Sequence, residues 1–152
     1  MLIGLLLLTA NIEVGPTRAV TLPSQAAAMA HDGDTILIDA GLYAGDAAVW
    51  RANNLTIRGV GGRAHLRSDG VTVGGKAIWV ITGQNTTVEA IEFSGATVPD
   101  MNGAGIRQEG PNLTVRDCYF HDNEDGILTG ESASSDILVE NSIFEHNGAG
   151  DG

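Results

Sequence analysis

The side chains most capable of chemistry are concentrated in an acidic turn at positions 122–125. Asp122, Glu124 and Asp125 offer three carboxylates within four residues, directly before a Gly-Ile pair. Calcium in proteins takes six to eight oxygen ligands, many of them from carboxylates. The turn is therefore a candidate metal site, with the cofactor left unknown and calcium as one candidate. The alternative interpretation is a solvated acidic loop, which is common in a chain as acidic as this one.

A second polar turn lies one repeat earlier and carries Asp100 and Asn102 before its own Gly-Ile pair. If the two turns stack, Asp100 comes to the same edge as the acidic turn, Arg107 points outward from the adjacent strand, and His121 lies close by. The stacked turns are therefore a candidate site, to which Asp100 and Asn102 would contribute together with Arg107 and His121. Because the residues equivalent to His121 in other repeats are ordinary polar ones, an exterior structural role is the alternative for this histidine.

The overall charge restricts the classes of partner. The chain has 19 acidic and 8 basic side chains and a formal net charge of -11, so it would repel phosphate backbones and anionic membranes. No nucleic-acid partner is expected. The single cysteine, Cys118, excludes an internal disulfide framework and is predicted to be a small buried residue. The 21 glycines suit many tight turns between short strands.

The two polar turns belong to an internal repeat, which is the main signal in the sequence. Four segments align on a central β-branched residue at intervals of 31, 27 and 24 positions, at Ile57, Val88, Val115 and Val139. Three positions later the alignment has a small or aliphatic side chain, at Val60, Ile91, Cys118 and Ser142. Phenylalanines and then asparagines follow in the later segments, at Phe93, Phe120, Phe144, Asn123 and Asn147.

Each repeat is predicted to contain about three short strands. Apolar residues alternate along segments such as 113–115 and 118–120, and no stretch has the three-and-four spacing of a helical repeat. Coils of roughly 20 to 30 residues match the repeat lengths of solenoids. We therefore predict an all-β, parallel β-helix of about five coils. Its valines and phenylalanines would form two interior stacks, and Asn123 and Asn147 would begin a ladder at a turn.

The amino-terminal part differs from the repeats. The apolar run at its start is too short to span a bilayer, which needs roughly 20 residues, so no membrane insertion is expected. Residues 1–10 are either a signal segment, which would make the protein secreted or periplasmic, or a hydrophobic cap. Residues 23–31 form the one plausible helix, which would cover the open end of the solenoid. Residues 11–152 are predicted to be a single β-helix domain.

Several segments carry a resemblance to a known family. They are Asp-Gly-Asp-Thr-Ile at 32–36, Ala-Gly-Leu-Tyr at 40–43, Leu-Thr-Ile-Arg-Gly at 55–59, and the related segments at 102–107, 112–115 and 123–128. Together they resemble the bacterial repeat-containing proteins of the pectate-lyase-like superfamily, which has the pectin lyase fold. The resemblance implies a right-handed parallel β-helix. It also implies that the chain corresponds to an amino-terminal part, whose uncapped last coil would favour self-association.

The resemblance further implies an exported, carbohydrate-associated protein. Lyases of this superfamily hold calcium with clustered carboxylates against an acidic sugar, and a basic residue abstracts the proton alpha to the sugar carboxyl. Carried over, this gives Asp122, Glu124 and Asp125 as metal ligands. It also gives Arg107 and His121 as catalytic residues, with Arg107 as the base, and Asp100 and Asn102 as substrate-binding residues. The lyase motifs themselves are not matched, so an enzyme is left open, with a polysaccharide lyase first and a glycoside hydrolase second. The alternative is a non-catalytic structural or glycan-binding module.

Overall fold

The strands pair in parallel from one coil to the next, as the repeat predicts. The computed structural model describes residues 8–130 and 136–148. Its elements in chain order are β1 (Asn11–Val14), α1 (Pro23–Met29), β2 (Thr35–Ala44), β3 (Ala48–Trp50), β4 (Thr56–Arg67), β5 (Ala77–Ile81), β6 (Thr86–Glu89), β7 (Ile91–Ser94), β8 (Ala104–Gln108), β9 (Leu113–Arg116), β10 (Tyr119–His121), β11 (Asp125–Thr129), β12 (Ile137–Glu140) and β13 (Ile143–Glu145). They form a parallel β-solenoid of about five turns, which confirms the predicted fold class.

Three faces surround the core. The first face contains β1, the first halves of β2 and β4, and then β6, β9 and β12. The second face contains the last halves of β2 and β4, and then β7, β10 and β13. The third face contains β3, β5, β8 and β11. Because β2 and β4 each run through a bend, the first two faces are continuous in the early coils.

The predicted valine stack is present on the inner side of the first face. Val88 pairs with Val115, and Val115 pairs with Val139, while Ile57 precedes them in register. Val88 and Val115 are fully buried. Burying such a side chain stabilises the fold by about 1.5–3 kcal/mol. Each coil therefore supplies an apolar side chain onto which the equivalent side chain of the next coil packs.

An aromatic stack fills the inner side of the second face, as predicted. The ring centroids of Phe93 and Phe120 are 5.1 Å apart at an interplanar angle of 13°, and those of Phe120 and Phe144 are 4.8 Å apart at 6°. Leu66 occupies the same register position one coil before Phe93, and Tyr43 precedes Leu66. The stack thus extends over more coils than the phenylalanines alone indicate.

The repeat alignment was wrong at Val60. This residue is half exposed and pairs with Asp39, whereas Ala64 takes the position equivalent to Ile91. The second coil carries four extra residues at 60–63, which bulge before the strand resumes. Gly59 allows the bulge to close, because a Cβ there would overlap the carbonyl oxygen of Ala90.

The asparagine ladder is confirmed. Asn123 is buried, and its Nδ2 donates 3.0 Å hydrogen bonds to the Asn147 Oδ1 and to the Phe93 carbonyl. Its Oδ1 accepts a 3.0 Å bond from the Ala96 amide. The ladder satisfies backbone groups at the turn that leads from the second face to the third face.

The helix α1 lies at the amino-terminal end of the solenoid. Pro23 stands at its start, where its missing amide proton costs no hydrogen bond. The helix packs against β3, the edge strand of the third face, and against β1. It therefore covers the first edge of that face, as predicted for a capping helix. Within the described residues, no helix is long and apolar enough to cross a membrane.

Candidate functional site

The outer side of the second face carries a group of closely spaced ionisable side chains. Its inner positions are filled by the aromatic stack, and side chains alternate between the two sides of a strand. The neighbours of the stack therefore point outward. In register they form one row of His65, Glu92 and Tyr119 and a second row of Arg67, Ser94 and His121.

His121 is held between two carboxylates. Its Nε2 lies 2.8 Å from the Glu92 Oε1, and its Nδ1 lies 2.7 Å from the Asp122 Oδ2. Burial lowers the pKa of His121, but the hydrogen bonds to Asp122 and Glu92 and their negative charges outweigh burial, so the pKa is raised overall. The ring is thus fixed in orientation from both sides.

His65 faces the same carboxylate from the preceding coil. Its Nε2 lies 2.7 Å from the Ser94 Oγ and 3.6 Å from the Glu92 Oε1. Its ring centroid is 5.7 Å from that of His121. The pKa of His65 is lowered, mainly by burial and further by the nearby His121, although Glu92 opposes the change. Two imidazoles with opposite pKa shifts therefore share one carboxylate.

Tyr119 gives the site an aromatic surface. Its ring stacks on His121 with a centroid distance of 4.3 Å, and its hydroxyl donates a 2.6 Å hydrogen bond to Glu145. The guanidinium carbon of Arg63 lies 5.8 Å from the Tyr119 ring centroid. Arg67 lies in the neighbouring row and is paired with Asp69 at 2.6 Å. The surface combines flat rings with cationic groups.

One group of side chains in the described part of the chain could hold a metal ion. It consists of His65, Glu92 and His121, whose ligand atoms all lie within 4.8 Å of one another. All three side chains are about one-fifth to one-quarter exposed. A ligand could therefore reach them from solvent.

The structure separates the predicted catalytic residues. Arg107 lies on the third face between Val80 and Leu128, and its Nε is 3.5 Å from the Glu109 Oε1. His121 lies on the second face. Arg107 and His121 therefore lie on different faces, with the turn at 122–124 between them, and their catalytic roles stay predictions.

The predicted substrate-binding residues lie in the loop that joins β7 to β8. Asp100 is largely exposed, and its Oδ2 is 4.0 Å from the Lys76 Nζ. Asn102 has a buried Oδ1 without a hydrogen-bond partner among the described residues. Neither belongs to the group around His121.

The three predicted metal ligands do not converge. Asp122 faces His121, and Glu124 accepts backbone hydrogen bonds from Val98 and Gly103 at 2.9 and 2.6 Å. Asp125 begins β11 and pairs with Ala104. Glu124 thus fastens the loop of the preceding coil, so this set does not fit a calcium ion. Calcium binding here stays a sequence-based prediction that the geometry does not support.

Sequence reasoning missed His65, Glu92, Ser94 and Tyr119. The insertion at 60–63 concealed His65, because alignment on Ile57 assigned the wrong residues to this strand. The sequence does contain a signal for these missed residues. Three triplets, at 64–66, 91–93 and 118–120, each begin with a small or aliphatic residue and end with a large apolar one. Aligning these triplets places His65, Glu92 and Tyr119 in one outward row.

Comparison with known proteins agrees with this architecture. Residues 40–152 match the family described as right handed beta helix region. A pectin methylesterase mutant in complex with a hexasaccharide has a similar structure, with 18% identity and a TM-score of 0.57, and the match covers 91% of this chain and 48% of that chain. A pectin methylesterase in complex with hexasaccharide VII has 13% identity and a TM-score of 0.59, covering 91% and 67%.

The chain thus spans about half the length of the first of these structures. No curated protein matches the sequence. At such low identities the likeness to the two esterases establishes the fold alone. The family match, in contrast, covers most of the chain and includes β7, β10 and the half of β4 that carries the site. The chain belongs to the right handed beta helix family and has the pectin-lyase-like fold.

Proposed function

We propose that this chain is an exported, carbohydrate-associated β-helix protein that binds an acidic polysaccharide along the outer side of its second face. The observation that carries the proposal is the stacked pair of Tyr119 and His121 beside the Arg63 guanidinium. Flat rings suit the apolar faces of sugars, and guanidinium groups suit carboxylates. The two esterase structures with similar folds were both solved with hexasaccharides, which adds support for a carbohydrate ligand.

The position of the arginines favours an acidic rather than a neutral polysaccharide. The chain has only 8 basic side chains against 19 acidic ones. Arg63 and Arg67 both extend from β4 toward this surface; Arg67 is paired with Asp69, so Arg63 beside Tyr119 is the group proposed to attract a carboxylate. The parallel strands place equivalent side chains about 4.8 Å apart, which forms an extended surface rather than a closed pocket.

The proposal is tested by calorimetric titration with polygalacturonate, using a neutral glucan for comparison. Tyr119→Ala should weaken polygalacturonate binding about tenfold, corresponding to about 1.4 kcal/mol of lost ring contact. Tyr119→Phe keeps the ring and should bind like the unaltered protein. Arg116→Ala removes an exposed arginine from the first face of the same coil and serves as the control. Equal binding by Tyr119→Ala, or no preference over neutral glucan, would contradict the proposal.

A second candidate function is eliminative cleavage of the polysaccharide. It is favoured by His65 and His121 lying on the two strands that flank β7, with Glu92 of β7 between them. In such a reaction a base removes the proton alpha to the sugar carboxyl, the bond to the glycosidic oxygen breaks as a carbon–carbon double bond forms, and that oxygen takes up a proton as it leaves. Unsaturated products from polygalacturonate that disappear in His121→Ala but persist in Arg107→Ala would support this candidate. Loss of these unsaturated products in Arg107→Ala, but not in His121→Ala, would instead place the chemistry on the third face.

Export is supported only by the apolar run within residues 1–10. Its test is fusion of these residues to a reporter enzyme in a bacterial host, followed by fractionation. Reporter activity in the periplasm or medium is expected if the segment directs export. Retention of the reporter in the cytoplasm would oppose this part of the proposal.

A further inference from the structure

We propose that His65, Glu92 and His121 form a binding site for a divalent transition-metal ion such as Zn²⁺. The site lies within the proposed polysaccharide surface, but metal binding does not depend on any polysaccharide. Two imidazole nitrogens and one carboxylate oxygen make up a ligand set that zinc uses at sites with an open fourth position. The same set with more open positions suits other first-row metals.

The spacing of the donor atoms suits such an ion. The Glu92 Oε1 lies 3.6 Å from the His65 Nε2 and 2.8 Å from the His121 Nε2. Metal–ligand bonds of about 2.0–2.2 Å in tetrahedral geometry separate neighbouring ligand atoms by roughly 3.3–3.6 Å. The first distance already falls near this range. The second requires the Glu92 and His121 side chains to separate by well under 1 Å.

The surroundings of His121 match those of a metal ligand. Its Nδ1 is 2.7 Å from the Asp122 carboxylate, which fixes the ring and directs Nε2 toward Glu92. A carboxylate that accepts the second ring N–H is a common support for histidine ligands of zinc. Asp122 therefore acts as a positioning residue in this proposal rather than as a metal ligand.

The backbone also restricts the site. The three ligands extend from β4, β7 and β10, which are adjacent parallel strands, and His65 and Glu92 are direct register partners. The ligand positions are thus set by sheet hydrogen bonds, and only side-chain torsions need to adjust. The Oγ of buried Ser94 lies 2.7 Å from the His65 Nε2, and this hydrogen bond must be given up when Nε2 binds the ion.

Metal binding would change what the site offers a sugar. The bound ion would occupy the Nε2 atoms of His65 and His121, so these nitrogens would not serve as free acid or base. The ion would instead present positive charge at the surface where Arg63 and Tyr119 lie. A carboxylate of an acidic polysaccharide is a suitable further ligand for that charge.

The test uses the full chain without a histidine tag, first treated with EDTA and dialysed. Calorimetric titration with Zn²⁺ should give one ion per chain, and Co²⁺ should give a visible ligand-field absorption spectrum. His65→Ala, His121→Ala and Glu92→Gln should each weaken Zn²⁺ binding at least tenfold. His31→Ala and Glu89→Gln, which alter an exposed histidine and an outward acid on the first face, should leave binding unchanged.

If a ligand variant does not fold, Asp122→Asn provides a second test of the proposal. Asp122 is about two-thirds exposed, so this substitution should leave the fold intact. It should weaken Zn²⁺ binding about 10–100-fold. Absence of stoichiometric Zn²⁺ binding by the unaltered chain, or equal weakening in His31→Ala, would overturn the proposal. Tyr119→Ala separates the two proposals, because it should retain Zn²⁺ binding while losing polysaccharide affinity.

Discussion

At the scale of single residues, similar side chains have different roles according to the face they occupy. Glu124 is turned toward backbone amides and fastens a loop, whereas Glu92 lies between two histidines on the outer surface. Cys118 occupies an interior position on the other side of the same sheet. The acidic character of this chain is therefore a poor guide to its site, because most carboxylates have structural or solvated positions.

The thiol of Cys118 should be unreactive in the folded protein. Burial raises its pKa to about 11, so almost no thiolate exists at pH 8, and the side chain is shielded from solvent. Iodoacetamide followed by mass spectrometry should show little labelling of the native chain and complete labelling in denaturant. Rapid labelling of the native chain would show instead that the Cys118 thiol is accessible to solvent.

At the scale of the elements, each strand contributes one step to a stack and one side chain to an outer row. The inner steps are similar from coil to coil, while the outer rows vary. Because of this division, β7 and β10 both have a phenylalanine on the inner side, Phe93 and Phe120. Their outer sides differ, with Glu92 and Ser94 on β7 and Tyr119 and His121 on β10. The stacks position the site but do not determine its chemistry.

The fold could be predicted because interior packing imposes a period on the sequence. Valines, phenylalanines and asparagines recur where coils must stack, so the parallel β-helix and the ladder at Asn123 followed from spacing, while the capping helix followed from Pro23 and Ser24 at its start. The site could not be predicted in the same way, because outward residues carry no period. His65 was further hidden by the bulge at 60–63, and the separation of Arg107 from His121 could not be foreseen because the face of each strand could not be assigned.

The aromatic stack should be most sensitive at its centre. Phe120 is fully buried between Phe93 and Phe144, so Phe120→Ala should lower the free energy of unfolding by about 3–5 kcal/mol. Phe144 is 46% exposed, and Phe144→Ala should cost less than half as much. Urea denaturation followed by circular dichroism measures both. Equal losses of unfolding free energy in the two variants would mean that another surface covers the last coil in solution.

At the scale of the whole molecule, the first and last coils of the described solenoid differ in how their edges are covered. The helix α1 covers the amino-terminal edge of the third face. At the other end, within the described residues, β12 and β13 each pair with a strand on one side only. Four apolar side chains there are 41–49% exposed, namely Leu138, Val139, Ile143 and Phe144. Such an edge is a surface for strand pairing.

We therefore expect the chain to self-associate through this edge. Light scattering should show a mean mass that rises with protein concentration, and Leu138→Lys should shift the equilibrium toward the monomer because a charge at the edge opposes pairing. Leu42→Lys, a similarly exposed leucine on β2, is the matched control and should have no effect. A monodisperse monomer at every concentration would oppose this expectation.

The central claim is that function resides on the outer side of the second face, and nuclear magnetic resonance titration tests it most directly. An acidic galacturonate oligosaccharide would be added to the isotope-labelled chain, and shift changes would be mapped by residue. We predict that the largest changes cluster at His65, Glu92, Tyr119 and His121. Changes centred instead on Arg107 and the third face, or no localised changes, would contradict the claim.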